Sequence, residues 1–193
     1  EAHLLAEVRE HGLPAVVLRP GFIYGPRDRT VLPRLLDRLA RKQVRYFGSG
    51  DQLLNQTCVI NLTEAVFRAL TVEGVTGEVF NITDGHLVSK RAFIETAARY
   101  AGLAAPTGKV PRPVARWLAR LSEAVYRLLG KTEAPLVSMA RYKFLGLNLD
   151  FSIDKARRLL GYVPPVPFEQ AMADTIAWFI AEGLVKQPPL TNS

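Results

Sequence analysis

The sequence predicts an α/β fold containing at least part of a parallel sheet. Three observations carry this expectation. Ala15-Val16-Val17-Leu18 is a short, continuous apolar run, the pattern of a strand buried on both faces of a parallel sheet. Glu78-Val79-Phe80-Asn81-Ile82 is a second short β-prone run. Between and after them the chain alternates strand, helix, strand, helix, strand, helix, the order that builds parallel layers.

The elements follow in order. Residues 1–11 read as a helix with Leu4, Leu5 and Val8 on one face and Gly12 as its stop. The first strand ends at Pro20, and Gly21-Phe22-Ile23-Tyr24-Gly25-Pro26-Arg27-Asp28 reads as a loop. Thr30 is placed to cap a helix to about Lys42, with Pro33 in its first turn. Leu32, Leu35, Leu36 and Leu39 then face inward and Arg34, Arg38 and Arg41 outward. Gln56 to Ile60 reads as a strand. Asn61 is placed to cap the next helix, with Glu64 at capping-box spacing and Leu62, Ala65, Val66, Ala69 and Leu70 as its apolar stripe. Ser89 caps a helix carrying Phe93, Ile94 and Ala97.

After Gly102 the character changes to mostly helical. Pro113 to Leu129 reads as a long amphipathic helix whose apolar face holds Val114, Trp117, Leu118, Leu121, Val125 and Leu128, with arginines elsewhere. Pro135 to Phe144 reads as another helix. A short one follows Ser152 and stops at Gly161. Pro167 opens the last, with Phe168, Ala171, Met172, Ile176, Phe179 and Ile180 inward, and residues after Gly183 read as a tail. The expected division is 1–101, 102–183 and a tail at 184–193.

Composition excludes several classes. With 48% hydrophobic and 22% charged residues, the 193-residue chain is neither disordered nor collagenous, and suits one domain or a large piece of a bigger one. The single cysteine, Cys58, makes no internal bridge, which fits a reducing, cytoplasmic setting. No apolar run approaches the ~20 residues of a membrane-spanning helix, and the first residues lack the pattern of a signal peptide. The net charge of +7 comes from arginines spread over several helices, without the basic-aromatic interleaving of a nucleic-acid binder. It suits an anionic substrate or a dinucleotide phosphate. It also leaves open a weak contact between the basic helix at 112–129 and a membrane surface. His3, His11 and His86 are scattered, so no metal site is expected, and no Gly-x-Ser-x-Gly nucleophile motif occurs.

Four segments are more specific. Leu18-Arg19-Pro20-Gly21-Phe22-Ile23-Tyr24-Gly25-Pro26 resembles the R-P-x-x-[IV]-Y-G-P segment of the extended short-chain dehydrogenases/reductases. Val59-Ile60-Asn61-Leu62-Thr63-Glu64-Ala65 resembles their V-x-[DN]-L-x-x-A, and Gly77 to Ile82 their G-x-x-[YF]-N-[IV] strand. Phe151-Ser152-Ile153-Asp154-Lys155-Ala156-Arg157-Arg158-Leu159-Leu160-Gly161-Tyr162-Val163-Pro164 resembles their D-x-x-K-A-x-x-x-L-G-[YF]-x-P element. The order is kept from end to end.

The resemblance covers the C-terminal part of that family. It implies the closing portion of an NAD(P)-binding Rossmann fold with a mostly helical substrate lobe. The family's glycine-rich pyrophosphate turn and its Tyr-x-x-x-Lys pair are absent from these residues, and Glu1 to Leu5 resemble the stretch just after the catalytic lysine. No catalytic residue is therefore assigned, and the chain alone is expected to be inactive. By resemblance, Pro20, Gly21, Phe22 and Ile23 lie against the nicotinamide of NAD or NADP, and the substrate cleft opens at Tyr24, Arg27 and Gln56. Arg27 has two readings: it pairs with an anion, or it is a surface arginine bridged to Asp28. Leu54 stands where sugar-nucleotide members often carry a diphosphate-binding arginine. That departure points to an apolar, sterol-like alcohol or ketone as substrate. A nucleotide-sugar epimerase or dehydratase is the runner-up, and a non-catalytic binding module is the competing class. A homodimer is left open.

Overall fold

The computed structural model describes residues 1–129 and 138–185. Helix α1 (Ala2–His11) ends at Gly12, whose left-handed φ of 69° lets its amide reach back to the last turn. Strand β1 (Val17–Pro20) leads through Gly21 into β2 (Phe22–Tyr24), where the sequence suggested only a loop. Then come α2 (Leu32–Ala40), β3 (Tyr46–Phe47), β4 (Leu53–Leu54), β5 (Gln56–Cys58) and α3 (Val59–Thr71). Next are β6 (Val79–Ile82), β7 (Val88–Ser89), α4 (Lys90–Tyr100) and β8 (Lys109–Val110). Four helices close the described chain: α5 (Arg112–Leu128), α6 (Met139–Gly146), α7 (Asp154–Leu160) and α8 (Phe168–Ala181).

The two apolar runs do pair, and they pair in parallel: Val17 lies opposite Val79 and Pro20 opposite Ile82. Parallel pairing also joins β2 to β5 and β3 to β8, while β4 and β7 are antiparallel. One face of β1/β6 is covered by α3 and α7, whose Ala65, Ala156 and Leu160 enclose Phe80 and Ile82. A larger cluster joins Tyr24, Leu32, Leu36 and Leu54 to Phe93 and Ala97 of α4 and to Met172, Ile176 and Phe179 of α8. Both clusters draw on residues from either side of position 101, so the packing runs across the expected division.

Several expectations are corrected. The α2 start is not capped by Thr30. Asp28 takes that role, its carboxylate accepting from the amides of Thr30, Val31 and Leu32 at 2.7–3.1 Å. The strand at 56–60 stops at Cys58, so Asn61 sits inside the first turn of α3 as a fully buried side chain rather than at its cap. Glu64 pairs with Arg68 at 2.7 Å instead of closing a capping box. On α3, Ala65 is buried but Val66 and Leu70 are 42% and 80% exposed, so the inward face lies to one side of the expected stripe. The apolar face of α5 points out: Trp117 is 64% exposed and Leu128 88%, while Ala115 and Ala119 are the buried residues. The helix expected from Pro135 begins, within the described residues, at Met139; positions 135–137 and the tail from 186 onward lie outside those residues. Among the described residues no helix is long and apolar enough to cross a membrane.

Candidate functional site at the carboxyl ends of the parallel pair

In open α/β sheets, ligands gather at the carboxyl ends of parallel strands. Here those ends are Pro20 and Ile82. The chain leaves Pro20 through Gly21, whose amide is shared between the carbonyl of Ile82 at 3.0 Å and Thr57 Oγ1 at 3.1 Å. Thr57 in turn donates to the same Ile82 carbonyl at 3.0 Å. Glycine is required at this point for room: a Cβ on Gly21 would stand 2.2 Å from the Asn55 carbonyl oxygen. The next amide, of Phe22, donates to that oxygen at 2.6 Å. The amides of Gly21 and Phe22 are thus both used inside the protein. What the segment turns outward is Pro20 and the apolar side chain of Ile23, which is 44% exposed. The Phe22 ring, half-buried, stands against Phe93 and Phe144 with centroids 5.6 and 5.4 Å apart.

Alternation along β2 sends Tyr24 the other way, into the core, at 1% exposure. Its ring packs on Phe93 and Phe168, and its hydroxyl donates to Asp84 Oδ2 at 3.1 Å. The sequence placed Tyr24 on the substrate cleft; its burial and its bond to Asp84 place its hydroxyl inside the protein instead. Asp84 also accepts from the Cys58 amide and from Asn61 Nδ2, each at 2.7 Å. Asn61 continues the chain of bonds to both the amide and the carbonyl of Val166 at 2.9 Å. Burial raises the Asp84 carboxyl above the ordinary carboxylate range, against the pull of its three donors. Burial first, and the Asp84 charge second, push the Tyr24 phenol far up, so it stays protonated.

Gln56 is likewise 1% exposed. Its Nε2 donates to the His86 carbonyl at 2.5 Å, and its Oε1 is buried with no hydrogen-bond partner among the described residues. His86 lines a shallow cavity of about 410 Å³ with Val88, Thr96, Phe168 and Glu169. Arg27 is exposed, at a left-handed φ of 70°, and has no ion pair among the described residues, because Asp28 spends its carboxylate on α2. Leu54, at 3% exposure, is part of the main core cluster.

Two buried charges escaped the sequence reading. Asp84 carried a signal, standing two positions after a parallel strand and just before the turn at Gly85 (φ 68°). Lys90 carried another, because a cation in the first turn of a helix opposes the helix dipole. Its side chain is 5% exposed. The ammonium donates to the Leu147 carbonyl and lies 5.8 Å from the Phe144 ring centre. Burial, then the nearby Arg112 charge, lowers its pKa to about 8.

Parallel strand pairs covered by helices, with an apolar loop at their carboxyl ends, define the class as an α/β protein with the Rossmann-type arrangement. The first 83 residues match the model of the NAD dependent epimerase/dehydratase family. Over 170 residues, 88% of the chain, it is 35% identical to the 4-hydroxy-2-methyl-3-oxo-4-farnesyl-3,4-dihydroquinoline-1-oxide ketoreductase of Stigmatella aurantiaca, covering 50% of that protein. It is 30% identical over 93% of its length to the 3beta-hydroxysteroid-dehydrogenase/decarboxylase isoform 1 of Arabidopsis thaliana, covering 43% of it. The crystal structure of gox2253 superposes with a TM-score of 0.75 at 28% identity, over 96% of this chain and 55% of that one. Over its first 83 residues the chain is thus similar to the NAD dependent epimerase/dehydratase family, and it spans about half the length of the curated relatives it matches.

Proposed function

We propose that these residues form the nicotinamide-facing sheet end and the substrate lobe of an NAD(P)-dependent oxidoreductase acting on a CH–OH or C=O group of an apolar, sterol-like substrate. The observation that carries the reading is the placement of Pro20 to Ile23. They leave the carboxyl end of a parallel pair, present an exposed Ile23 side chain, and keep the Gly21 and Phe22 amides bonded internally. The exposed Pro20 and Ile23 are apolar, which fits the face of a nicotinamide ring. Held there, the cofactor supplies or takes the hydride. This chain's own part is to bind the ring, exclude water from its face and hold the substrate.

The substrate class rests on Leu54 and on the aromatic pair of Phe22 and Phe144. A side chain at position 54 belongs to the core, so no diphosphate meets it, while the paired rings are apolar surface on the side of β2 opposite Ile23. The two relatives are named for a farnesyl-bearing quinoline oxide and a 3beta-hydroxysteroid, both largely apolar. Arg27, unpaired among the described residues, would meet an anionic group on the substrate or cofactor.

The test is oxidation of NADH or NADPH by the complete reading frame that contains these residues, with hydrophobic ketones and UDP-sugars offered in parallel. Turnover with the ketones alone supports the reading. Turnover with UDP-sugars alone overturns the substrate class, and no turnover with either supports a binding module. The 193-residue chain by itself, lacking a Tyr-x-x-x-Lys pair, should be inactive.

A further inference from the structure

Helix α5 packs in the opposite sense to a helix that covers a core. Its inward line is made of small residues: Ala115 and Ala119 are at 1% and 0% exposure, against Tyr142, Phe47, Val110 and Met139. At about 100° per residue, Val114, Trp117, Leu118, Leu121, Val125 and Leu128 fall on one arc across the axis from that line. All six are 42–88% exposed. Arg112, Arg116, Arg120 and Arg127 occupy the flank between the two, and none has an ion pair among the described residues. The acid on the helix, Glu123, is turned toward α6, where its carboxylate accepts from the Met139 amide at 2.7 Å. Beside the arginine row, Arg112, Arg116 and Arg120 share a cavity of about 420 Å³ with Trp117 and Tyr142.

We propose that α5 is a membrane-docking helix that lies in the headgroup plane of an anionic bilayer. An interfacial helix needs an apolar face with tryptophan and leucine and a basic flank. It buries its apolar side some 5–10 Å into the headgroup region, while the cations meet lipid phosphates. The arginine row from Arg112 to Arg127 is about 22 Å long at 1.5 Å per residue. Anionic charge spread over that length is what a bilayer offers. A second copy of this chain is a poor match, because the net charge of +7 and two facing arginine rows oppose such a contact. The cavity beside Trp117 is large enough for a headgroup phosphate. No described helix is long and apolar enough to span, so the contact is with the surface.

The experiment is co-sedimentation of the intact protein with vesicles of phosphatidylcholine alone, and with about one-third phosphatidylserine added. The protein should pellet with the mixed vesicles, remain in solution with the neutral ones, and be released by high salt. Reversing two exposed charges, in Arg116→Glu/Arg120→Glu, should weaken partition about tenfold or more, with an unchanged melting curve by circular dichroism. In a Trp178→Phe background, Trp117 emission should shift to the blue with mixed vesicles only. Failure to bind the mixed vesicles overturns the proposal, as does binding indifferent to the charge reversal. So does Trp117 shielded in a lipid-free dimer.

Discussion

Tyr24 and Asp84, sixty positions apart, are joined inside the core by a 3.1 Å hydrogen bond from the phenol to the carboxylate. The bond ties the strand after the exposed Ile23 to the turn after β6, so the two sides of the candidate site are fixed to each other. The Cys58 amide and Asn61 Nδ2 hold the other oxygen of the same carboxylate. Tyr24→Phe removes one donor and leaves the carboxylate its other two. It should cost about 1 kcal/mol. Asp84→Ala leaves the Tyr24 hydroxyl and the Cys58 amide without their acceptor, takes one of the two acceptors of Asn61 Nδ2, and should cost about 3 kcal/mol or more. Urea unfolding of the two variants measures both; an Asp84→Ala cost no greater than that of Tyr24→Phe would refute the carboxylate as the hub.

Gly21→Ala should be damaging for a steric reason. The added methyl would stand 2.2 Å from the Asn55 carbonyl oxygen, a backbone atom that also receives the Phe22 amide. Separating β2 from the residue before β5 should cost about 1–3 kcal/mol. Gly12→Ala is the comparison: no atom lies within 4 Å of its added methyl, and only its φ of 69° is strained. A thermal melt in which Gly21→Ala is the milder change contradicts the packing described here.

Lys90 predicts a pH effect. Its folded pKa, about 8, lies below its ordinary value of 10.5, chiefly through burial. Between those values the unfolded chain binds more protons than the folded one, so stability attributable to Lys90 rises with pH across that window. Below pH 8 the buried ammonium is a burden. Lys90→Met should therefore narrow its deficit, or exceed the parent, near pH 7 and fall behind as the pH climbs toward 10. The readout is the difference in melting temperature between parent and variant at each pH. A difference that stays flat from pH 7 to pH 10 rules out the depressed pKa.

Leu54→Arg restores the residue type that sugar-nucleotide members often carry at this position. Because Leu54 is 3% exposed and packed with the main core cluster, the arginine would be a buried, unpaired charge. The variant should lose several kcal/mol of stability, on the order of 3 or more, and gain no affinity for UDP-sugars. Binding of UDP-glucose by a folded Leu54→Arg protein, followed by calorimetry, would place that side chain in the cleft after all.

The parallel pairing of Val17–Pro20 with Val79–Ile82 was legible in the sequence because unbroken apolar runs with valine are characteristic of strands covered by helices. Helix existence was legible from periodicity and stop glycines. Helix orientation was not. A 3.6-residue period marks an apolar stripe on α5 but says nothing of which stripe the fold uses, and small residues such as Ala115 and Ala119 pack closer to α6 than Trp117 or Leu121 could. Asn61 shows the same limit. Its spacing suits a cap, yet β5 ends early, the helix starts at Val59, and the side chain is spent on Asp84 and Val166. Pro20 to Ile23 were assigned through family resemblance, while the sequence signals at Asp84 and Lys90 gained meaning only once burial was known.

The most direct measurement of the central claim uses the complete protein and a reduced nicotinamide cofactor with both C4 hydrogens replaced by deuterium, and a hydrophobic ketone as acceptor. The account predicts one deuterium at the carbinol carbon of the product, the hydroxyl proton coming from solvent, and a raised KM for cofactor when Ile23 is replaced by aspartate. A product without deuterium, or an Ile23→Asp variant that binds cofactor as the parent does, would contradict it.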